Sequence, residues 1–329
     1  MDEVIAVDLG GTNIRAARID AEGRILARAK VPTLASEGMN AVMGRIAELV
    51  ASVKSPAVKA VGLGTPGVPD PETGRLLLQA VNIAGSADYP MGSELAARTG
   101  LLAACDNDGN LAALGESWLG AGRGEPVVLI FVLGTGIGGG LVIDGKLYHG
   151  HHNLGTEFGH VSIDCEGRHC GCGGRGCVER YASASAIGRD AREYLASAAP
   201  VAKDSALLKM CGGPNCLDKV DARMVCDAAR DGDAVALFLL DRCCRWLACG
   251  VGSLINVLNP SCVIISGGMS AACDLIIPRI EREMNFGRSF GPTWHDTKIR
   301  PGVLGDDAGL LGAAKLALQR VSSFSPQRG

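Results

Sequence analysis

Two segments of this chain repeat one pattern, and this repeat restricts the fold more than any other feature. "VDLGGTNIRAARIDAEGRIL" (7–26) and "FVLGTGIGGGLVIDGKLY" (131–148) each contain an apolar strand, a glycine and threonine loop, a second apolar strand, a turn with glycine, and a third strand. In a Rossmann or Walker loop the glycines run into a helix, whereas here they join two strands. The repeat therefore predicts duplicated α/β halves that face each other across a cleft.

The two glycine loops are candidate phosphate-binding segments. Glycine lets backbone N–H groups approach a phosphate without a Cβ in the way, and a threonine hydroxyl adds a donor. Tight hairpins also use glycine, so a single loop is weak evidence and the matched pair is much stronger. The candidate residues are Gly10, Gly11, Thr12 and Asn13 in the first loop, and Gly134, Thr135 and Gly136 in the second.

Asp8 lies at the end of the first predicted strand. A carboxylate at that position can orient a water on a Mg²⁺ that bridges the β- and γ-phosphates of a nucleotide. An aspartate that only forms a turn fits the same position.

The rest of the chain alternates between strand and helix patterns. Apolar spacing predicts helices over 37–53, 233–256 and about 307–320. "LLAACDNDGN" is expected to be a strand and a loop, followed by a helix that ends near Gly120. "SCVIISGGM" is expected to be a strand that leads Ser266, Gly267 and Gly268 into a loop.

The segment "CDNDGN" contains two candidates for a general base. Phosphoryl transfer to an alcohol needs a carboxylate that accepts the hydroxyl proton, whereas Asp106 or Asp108 can also serve only as a helix cap. Asp108 is the better candidate because the adjacent Asn107 can hold a substrate hydroxyl.

A cysteine-rich stretch, "GHVSIDCEGRHCGCGGRGCVE" (159–179), contains a candidate metal site. His160, Cys170, Cys172 and Cys177 offer one imidazole and three thiols, which is a ligand set of closed tetrahedral zinc sites. Cys165 and His169 are spare ligand types, so the spacing does not force this choice of four. A disulfide and a coincidence of cysteines are the alternatives, and a reducing compartment disfavours the disulfide.

Composition excludes several classes of function. A net charge of −3 provides no basic field for nucleic acid, and no apolar run reaches the ~18 residues that a membrane span needs. The N-terminus lacks the features of a signal peptide, so we expect a cytoplasmic protein whose helical cysteines, such as Cys226, Cys243, Cys244 and Cys249, are small buried apolar residues.

These motifs together resemble the ROK family of repressors, open reading frames and sugar kinases, and most of all its bacterial glucokinases. The resemblance is carried, in family order, by "DLGGTN", "DNDGN", "LGTGIGGGLVIDGKLYHG", "GTEFGH", "CGCGGRGCVERYAS", "ISGGM" and "GDDAGLLGAA". It implies an actin-like ATPase fold of the ribonuclease H type, with two α/β domains around a central cleft. It further implies a small domain of 1–118 with 305–329, and a large domain of 119–304 that contains the metal site and the dimer interface.

The resemblance also implies the ligands and their residues. ATP and Mg²⁺ would bind in the cleft with both loops on the phosphates and with Gly267 and Gly268 near the adenosine. Asp108 would be the catalytic base. The sugar would be bound by Asn82, Asn107, Asp108, Glu157, His160 and Glu179. Members of the family are commonly homodimers or dimers of dimers.

We therefore expect an ATP-dependent hexose kinase that acts on glucose and has a structural Zn²⁺. The alternatives are a kinase for N-acetylmannosamine, fructose or allose, and a sugar-sensing regulator without turnover. Family repressors carry a helix-turn-helix domain ahead of the core, and a first strand starting at about residue 3 leaves no room for one. An actin-like or chaperone-like ATPase would have no purpose for the cysteine cluster.

Overall fold

The computed structural model describes residues 2–80, 83–197, 203–285 and 296–324. The chain forms two compact units. The first unit contains Met1–Pro126, Gly140–Thr156 and Val303–Gly329, and the second contains Val127–Gly139 and Glu157–Gly302. The domains predicted from sequence differ in assigning 119–126, 140–156 and 303–304 to the second domain, and that division stays a prediction.

The first unit is built on a five-stranded sheet in the order β3-β2-β1-β4-β7. β1, β2 and β3 are antiparallel neighbours, whereas β4 and β7 run parallel to β1. The predicted hairpin around Gly23 is therefore confirmed. The bounds are Glu3–Leu9 for β1, Asn13–Asp20 for β2, Ile25–Pro32 for β3, Val58–Thr65 for β4 and Leu102–Asn107 for β7, with a separate pair β5 (Val68–Pro69) and β6 (Leu76–Leu78).

Helices cover both faces of this sheet because the side chains of a strand alternate between faces. Ile5 and Val7 pack in a core with α1 and α2, whereas Val4 and Ala6 pack in a second core with α3 and α10. Gly312 lets α10 approach α3, since a Cβ there would lie 1.8 Å from the carbonyl oxygen of Leu111. The bounds are Met39–Val53 for α1, Met91–Thr99 for α2, Asp108–Leu119 for α3 and Ala308–Phe324 for α10.

A second five-stranded sheet has the order β10-β9-β8-β11-β12, in which β8, β11 and β12 are parallel. Both copies of the repeated pattern thus form three successive strands, which continue into two parallel strands. The bounds are Val127–Leu133 for β8, Ile137–Ile143 for β9, Lys146–Leu147 for β10, Cys262–Ser266 for β11 and Lys298–Pro301 for β12.

The helices of the second unit include the long helix predicted over 233–256. It runs over Ala234–Leu258, and the Asp233 side chain caps it by accepting from the backbone N–H of Ala236. Cys226, Cys243 and Cys244 are buried as predicted, whereas Cys249 is half-buried. The bounds are Glu179–Ala182 for α4, Ala184–Ala196 for α5, Ala206–Cys211 for α6, Ala222–Arg230 for α7, Ala234–Leu258 for α8 and Cys273–Asn285 for α9.

Within the part of the chain that the structure describes, no helix combines the length and the apolar character needed to cross a bilayer.

Candidate active site and metal centre

The segment with the candidate base folds without the loop that the sequence predicted. β7 ends at Asn107 and α3 begins directly at Asp108. Neither aspartate is the cap, because the Asn107 side chain takes that role. Its Oδ1 accepts from the backbone N–H of Gly109 at 2.9 Å and of Asn110 at 3.3 Å, and its Nδ2 donates to the carbonyl oxygen of Gly67 at 2.8 Å. The prediction of an intervening loop was wrong because a capping asparagine joins the strand to the helix with no extra residue.

The two aspartates differ sharply in surroundings. Asp106 is 1% exposed, and it accepts from the backbone N–H of Asn107 at 2.8 Å and from Nδ2 of Asn110 at 2.9 Å. Its other oxygen lies 2.7 Å from Nε2 of His149. Asp108 is exposed at the first turn of α3. Of the two, only Asp108 is exposed, which favours it as the base, a role that stays a prediction.

His149 belongs to a set of anchors that sequence reasoning missed. After β10, His149 contacts Asp106, the Nδ2 of Asn153 donates to Asp70 at 3.0 Å, and the Oγ1 of Thr156 donates to Asn110 at 3.1 Å. These three contacts fix the segment 148–156 within the first unit, directly before Glu157. The only signal in the sequence was the cluster of polar residues in "HGHHN".

The Asp106 carboxylate raises the pKa of His149 above its ordinary value, because the hydrogen bond and the negative charge favour the protonated ring. A raised folded-state pKa means that the pair stabilises the fold fully below the unfolded value of ~6.5, and that this contribution is lost as pH rises through the folded pKa. We therefore expect His149→Gln to lower the free energy of unfolding by about 1 kcal/mol at pH 6 and by less at pH 9.

Urea unfolding of the wild type and His149→Gln at both pH values measures this difference. His151→Gln is the matched control, since His151 is exposed and its ring contacts only the tilted ring of His152 among the described aromatic pairs. An equal loss of stability at pH 6 and pH 9 would show that charge on His149 does not contribute.

The first glycine loop is held by a buried threonine that the sequence did not reveal as important. The backbone N–H of Gly10 donates to the carbonyl oxygen of Asn13 at 3.0 Å, which closes the turn between β1 and β2. Thr33, at 0% exposure, donates its hydroxyl to the Gly10 carbonyl at 2.6 Å and its N–H to the Thr12 carbonyl at 2.9 Å. Gly11 and Thr12 are left exposed at the tip of the loop, where a ligand can reach them.

Asp8 is not simply a turn-forming residue, because its side chain is paired with Arg15 on β2. Nε and Nη2 of Arg15 donate to Oδ2 of Asp8 at 3.0 and 2.5 Å. The other carboxylate oxygen of Asp8, Oδ1, is not crowded by the neighbouring glycines. A Cβ built on Gly64 or on Gly309 would lie 3.9 Å from it. The role of Asp8 in orienting a Mg²⁺-bound water stays a prediction.

The second unit contains a cavity of about 870 Å³, which is within the size range of sites for nucleotide-sized ligands. Its walls come from the second glycine loop, the start of α5, the length of α7 and the turn after β11. Gly134, Thr135 and Gly268 line it. Gly267 instead packs against the strand backbone, since a Cβ there would lie 2.5 Å from the Leu133 carbonyl oxygen.

The four predicted metal ligands converge. Their ligand atoms all lie within 4.8 Å of one another, with Nδ1 of His160 3.5 Å from Sγ of Cys170 and Sγ of Cys172 3.6 Å from Sγ of Cys177. Ligands at ~2.0 and ~2.3 Å from a tetrahedral ion are roughly 3.5–3.8 Å apart, so the arrangement fits a metal. The sulfur separation is too long for a disulfide, whose S–S bond is ~2.05 Å.

The backbone around this cluster forms a compact knuckle. Ser162 pairs with Cys177, and His169 pairs with Arg175, as isolated antiparallel β-bridges. The Cys170 N–H also donates to the Gly174 carbonyl at 2.9 Å. Gly176 has a φ of +70°, and a Cβ there would lie 1.7 Å from the Asp164 carbonyl oxygen. Only glycine fits this position, which explains part of the glycine content of the stretch.

Of the candidate sugar-binding residues, Asn82 lies outside the described residues. Glu157 is exposed and precedes the short 3₁₀ helix Phe158–His160. The Nδ1 of His160 faces the thiols, which leaves Nε2 for another contact. Glu179 begins α4, and its Oε2 accepts from the backbone N–H of Ile137 at 3.0 Å, directly after the second glycine loop.

Known proteins resemble this chain over nearly its whole length. The sequence matches the ROK family over residues 4–320. A glucokinase from Thermotoga maritima is 38% identical over 322 residues, which are 97% of this chain and 98% of that protein.

Two solved structures give the fold. A ROK family glucokinase from Streptomyces griseus, in complex with glucose and AMPPNP, matches with a TM-score of 0.78 at 36% identity, over 96% of this chain and 99% of that chain. A ROK hexokinase from Thermus thermophilus matches with a TM-score of 0.78 at 32% identity, over 98% and 99% of the two chains. The predicted actin-like α/β fold is thereby confirmed.

The predicted family is confirmed by the same matches, which span both glycine loops, the candidate base and the cysteine cluster. This chain belongs to the ROK family.

Proposed function

We propose that this protein is an ATP-dependent hexose kinase that converts D-glucose and ATP to glucose 6-phosphate and ADP. The observation that carries the proposal is the exposed Asp108 carboxylate next to the fully engaged Asp106, in a chain 38% identical to a glucokinase. The 870 Å³ cavity bordered by the second glycine loop supports a nucleotide as the second substrate.

In this mechanism Asp108 accepts the proton of the sugar 6-hydroxyl as that oxygen attacks the γ-phosphorus. The bond from the γ-phosphorus to the β–γ bridging oxygen breaks, and ADP leaves. Backbone N–H groups at the tips of the two loops, such as those of Gly11, Thr12 and Thr135, would stabilise the charge on the transferring group, since the N–H groups of Gly10 and Gly134 close their own loops. Asp8 would hold a nucleotide-bound Mg²⁺ through a water, and that cation would offset the negative charge of the phosphates.

The sugar would be held by a set of polar side chains. Asn107 keeps one Nδ2 hydrogen for a sugar hydroxyl, because its cap and the Gly67 contact use the rest of its amide. Asp108, Glu157, His160 and Glu179 would accept or donate to the remaining hydroxyls, and Asn82 belongs to the same proposed set. Gly267 and Gly268 are proposed to lie near the adenosine.

We propose that the metal at His160, Cys170, Cys172 and Cys177 is a structural zinc. Three thiolates and an imidazole would complete a tetrahedral shell and would leave no position open for a reactant. The metal would fix the ring of His160 and direct Nε2 toward the sugar. Retaining these thiols reduced suits a cytoplasmic enzyme, and we propose a homodimer or a dimer of dimers as its assembly.

A coupled assay of ADP release against a panel of hexoses tests the function. We expect glucose to have the highest kcat/KM, at least about 10-fold above mannose, fructose, allose and N-acetylmannosamine, since one misplaced hydroxyl commonly costs that much. A different preferred sugar would replace glucose within the same kinase class. Sugar binding by calorimetry without any ADP release would favour a non-catalytic regulator.

A kinase of broader sugar range is the second candidate. The observation that favours it is the likeness to the Thermus thermophilus hexokinase at 32% identity. Comparable kcat/KM values for glucose and mannose in the same panel would support this candidate over a strict glucokinase.

A further inference from the structure

We propose that Glu179 joins the sugar site to the second phosphate loop, so that sugar and nucleotide bind cooperatively through the peptide between Gly136 and Ile137. The proposal rests on the proposed function, because it takes Glu179 as a sugar ligand. It adds a second task for that residue, which is to position the loop that holds the nucleotide phosphates.

The first observation is the contact of the Glu179 carboxylate with the loop. Oε2 accepts from the Ile137 N–H at 3.0 Å, and a Cβ built on Gly136 would lie 2.3 Å from the same oxygen. The carboxylate therefore rests directly on the 136–137 peptide and leaves no room for a side chain at 136. Within the described residues the other oxygen of Glu179, Oε1, accepts no hydrogen bond, so it remains available for a sugar hydroxyl.

The second observation concerns the carbonyl side of Ile137, the residue whose N–H donates to Glu179. A Cβ on Gly159 would lie 2.1 Å from the Ile137 carbonyl oxygen, so the 3₁₀ helix Phe158–His160 also packs closely on this backbone. The Ile137 backbone is thus held between Glu179 at its N–H and the segment of His160 at its carbonyl. Both neighbours belong to the proposed sugar-binding set.

The third observation is that the starts of two successive helices contact the loop. Glu179 begins α4, and Ala184, which begins α5, donates its N–H to the Gly134 carbonyl oxygen at 2.9 Å. The loop residues Gly134 and Thr135 in turn line the 870 Å³ cavity. The chain from Glu179 to Ala184, which contains α4 and the start of α5, therefore connects the proposed sugar ligand to the wall of the nucleotide cavity.

This arrangement has a thermodynamic consequence. A sugar hydroxyl on Oε1 fixes the orientation of the carboxylate, and the shared carboxylate then fixes the direction of the 136–137 peptide. Because a close-packed contact transmits such constraints, the loop loses less freedom when the nucleotide binds. Coupling of binding is reciprocal, so the nucleotide must raise the affinity for the sugar by the same factor.

The test uses Gly136→Ala, a substitution in the phosphate loop that should nevertheless weaken the binding of the sugar. The new methyl group displaces the Glu179 carboxylate, whereas the backbone at 136 lies outside the left-handed region and accepts alanine. Gly138→Ala is the matched control, because Gly138 is exposed and a Cβ there meets only Val132 at 3.8 Å.

Isothermal calorimetry measures the Kd of glucose with and without a saturating, magnesium-loaded non-hydrolysable ATP analogue. In the wild type we expect the analogue to lower the glucose Kd at least about 5-fold. In Gly136→Ala we expect the glucose Kd without nucleotide to rise about 10-fold and the effect of the analogue to fall below about 2-fold. Gly138→Ala should match the wild type, and circular dichroism confirms that each variant is folded.

The Kd of the analogue without sugar gives a second readout. Glu179→Ala should raise the Kd of the analogue about 3-fold or more. Adding Gly136→Ala to the Glu179→Ala variant should change this Kd by less than about 2-fold, because the new methyl group has room once the Glu179 carboxylate is absent. A glucose Kd unaltered in Gly136→Ala, or independent contributions of the two substitutions, would overturn the coupling. If the wild type bound no hexose, both the coupling and the proposed function would be overturned.

Discussion

Replacing Asp108 by Asn should lower kcat about 100-fold or more, while the protein stays folded and still binds glucose and ATP. Removal of a general base typically costs ~10²–10⁴ in rate. Asn has the same shape as Asp, and Asp108 is exposed at the start of α3, so no buried group is removed from the core. The measurement is steady-state kcat and KM for both substrates, together with a thermal melt.

Asp106→Asn is the informative partner for this variant. Asp106 is buried and bonded to Asn107, Asn110 and His149, so its charge should matter for stability more than for chemistry. We expect a melting temperature several degrees lower and a kcat reduced less than about 10-fold. Near-normal turnover in Asp108→Asn, or an equal loss of kcat in Asp106→Asn, would remove Asp108 as the base.

Cys177→Ser should lose the bound metal, melt at a much lower temperature and have a raised KM for the sugar. Cys177 is 2% exposed within the cluster, and its sulfur lies 3.6 Å from that of Cys172. Structural zinc in small domains contributes apparent binding free energies of ~10–16 kcal/mol, so a missing thiolate has a large effect on the knuckle. The KM for ATP should change less, because the metal orients His160 and not the nucleotide cavity.

Cys165→Ser is the control, since Cys165 is exposed and is not among the four convergent ligands. Plasma mass spectrometry of the purified variants measures the metal content. We expect about one equivalent of zinc in the wild type and in Cys165→Ser, and almost none in Cys177→Ser. The reverse pattern, with zinc lost from Cys165→Ser and kept in Cys177→Ser, would show that the ligand set is wrong.

The sequence predicted those features whose cause is local. The period-two pattern of Ile25–Pro32 and the glycine at the preceding turn specify a hairpin, and the spacing of apolar residues in α1 and α8 specifies helices. The convergence of His160, Cys170, Cys172 and Cys177 also follows from short range, because glycine-rich turns bring ligands together within 18 residues of chain.

The contacts that tune the site could not be predicted because their partners are far apart in sequence. Glu179 meets the Ile137 N–H across 42 positions, His149 meets Asp106 across 43, and Thr33 meets Gly10 across 23. Each is an ordinary polar residue until the fold supplies its partner. The same reason explains why the sequence favoured Asp108 over Asp106 only through the adjacent Asn107, since the burial and the hydrogen bonds of Asp106 depend on the fold.

The last helix has a consequence for how the protein is made. α10 provides Leu310, Ala313 and Ala317 to the core that covers Val4 and Ala6, although β1 leaves the ribosome first and α10 last. At roughly 5–20 residues per second, the ribosome needs about 15 seconds or more to synthesise the intervening chain. During that time α3 alone covers this face of the first sheet, so part of its apolar surface stays exposed until α10 is synthesised.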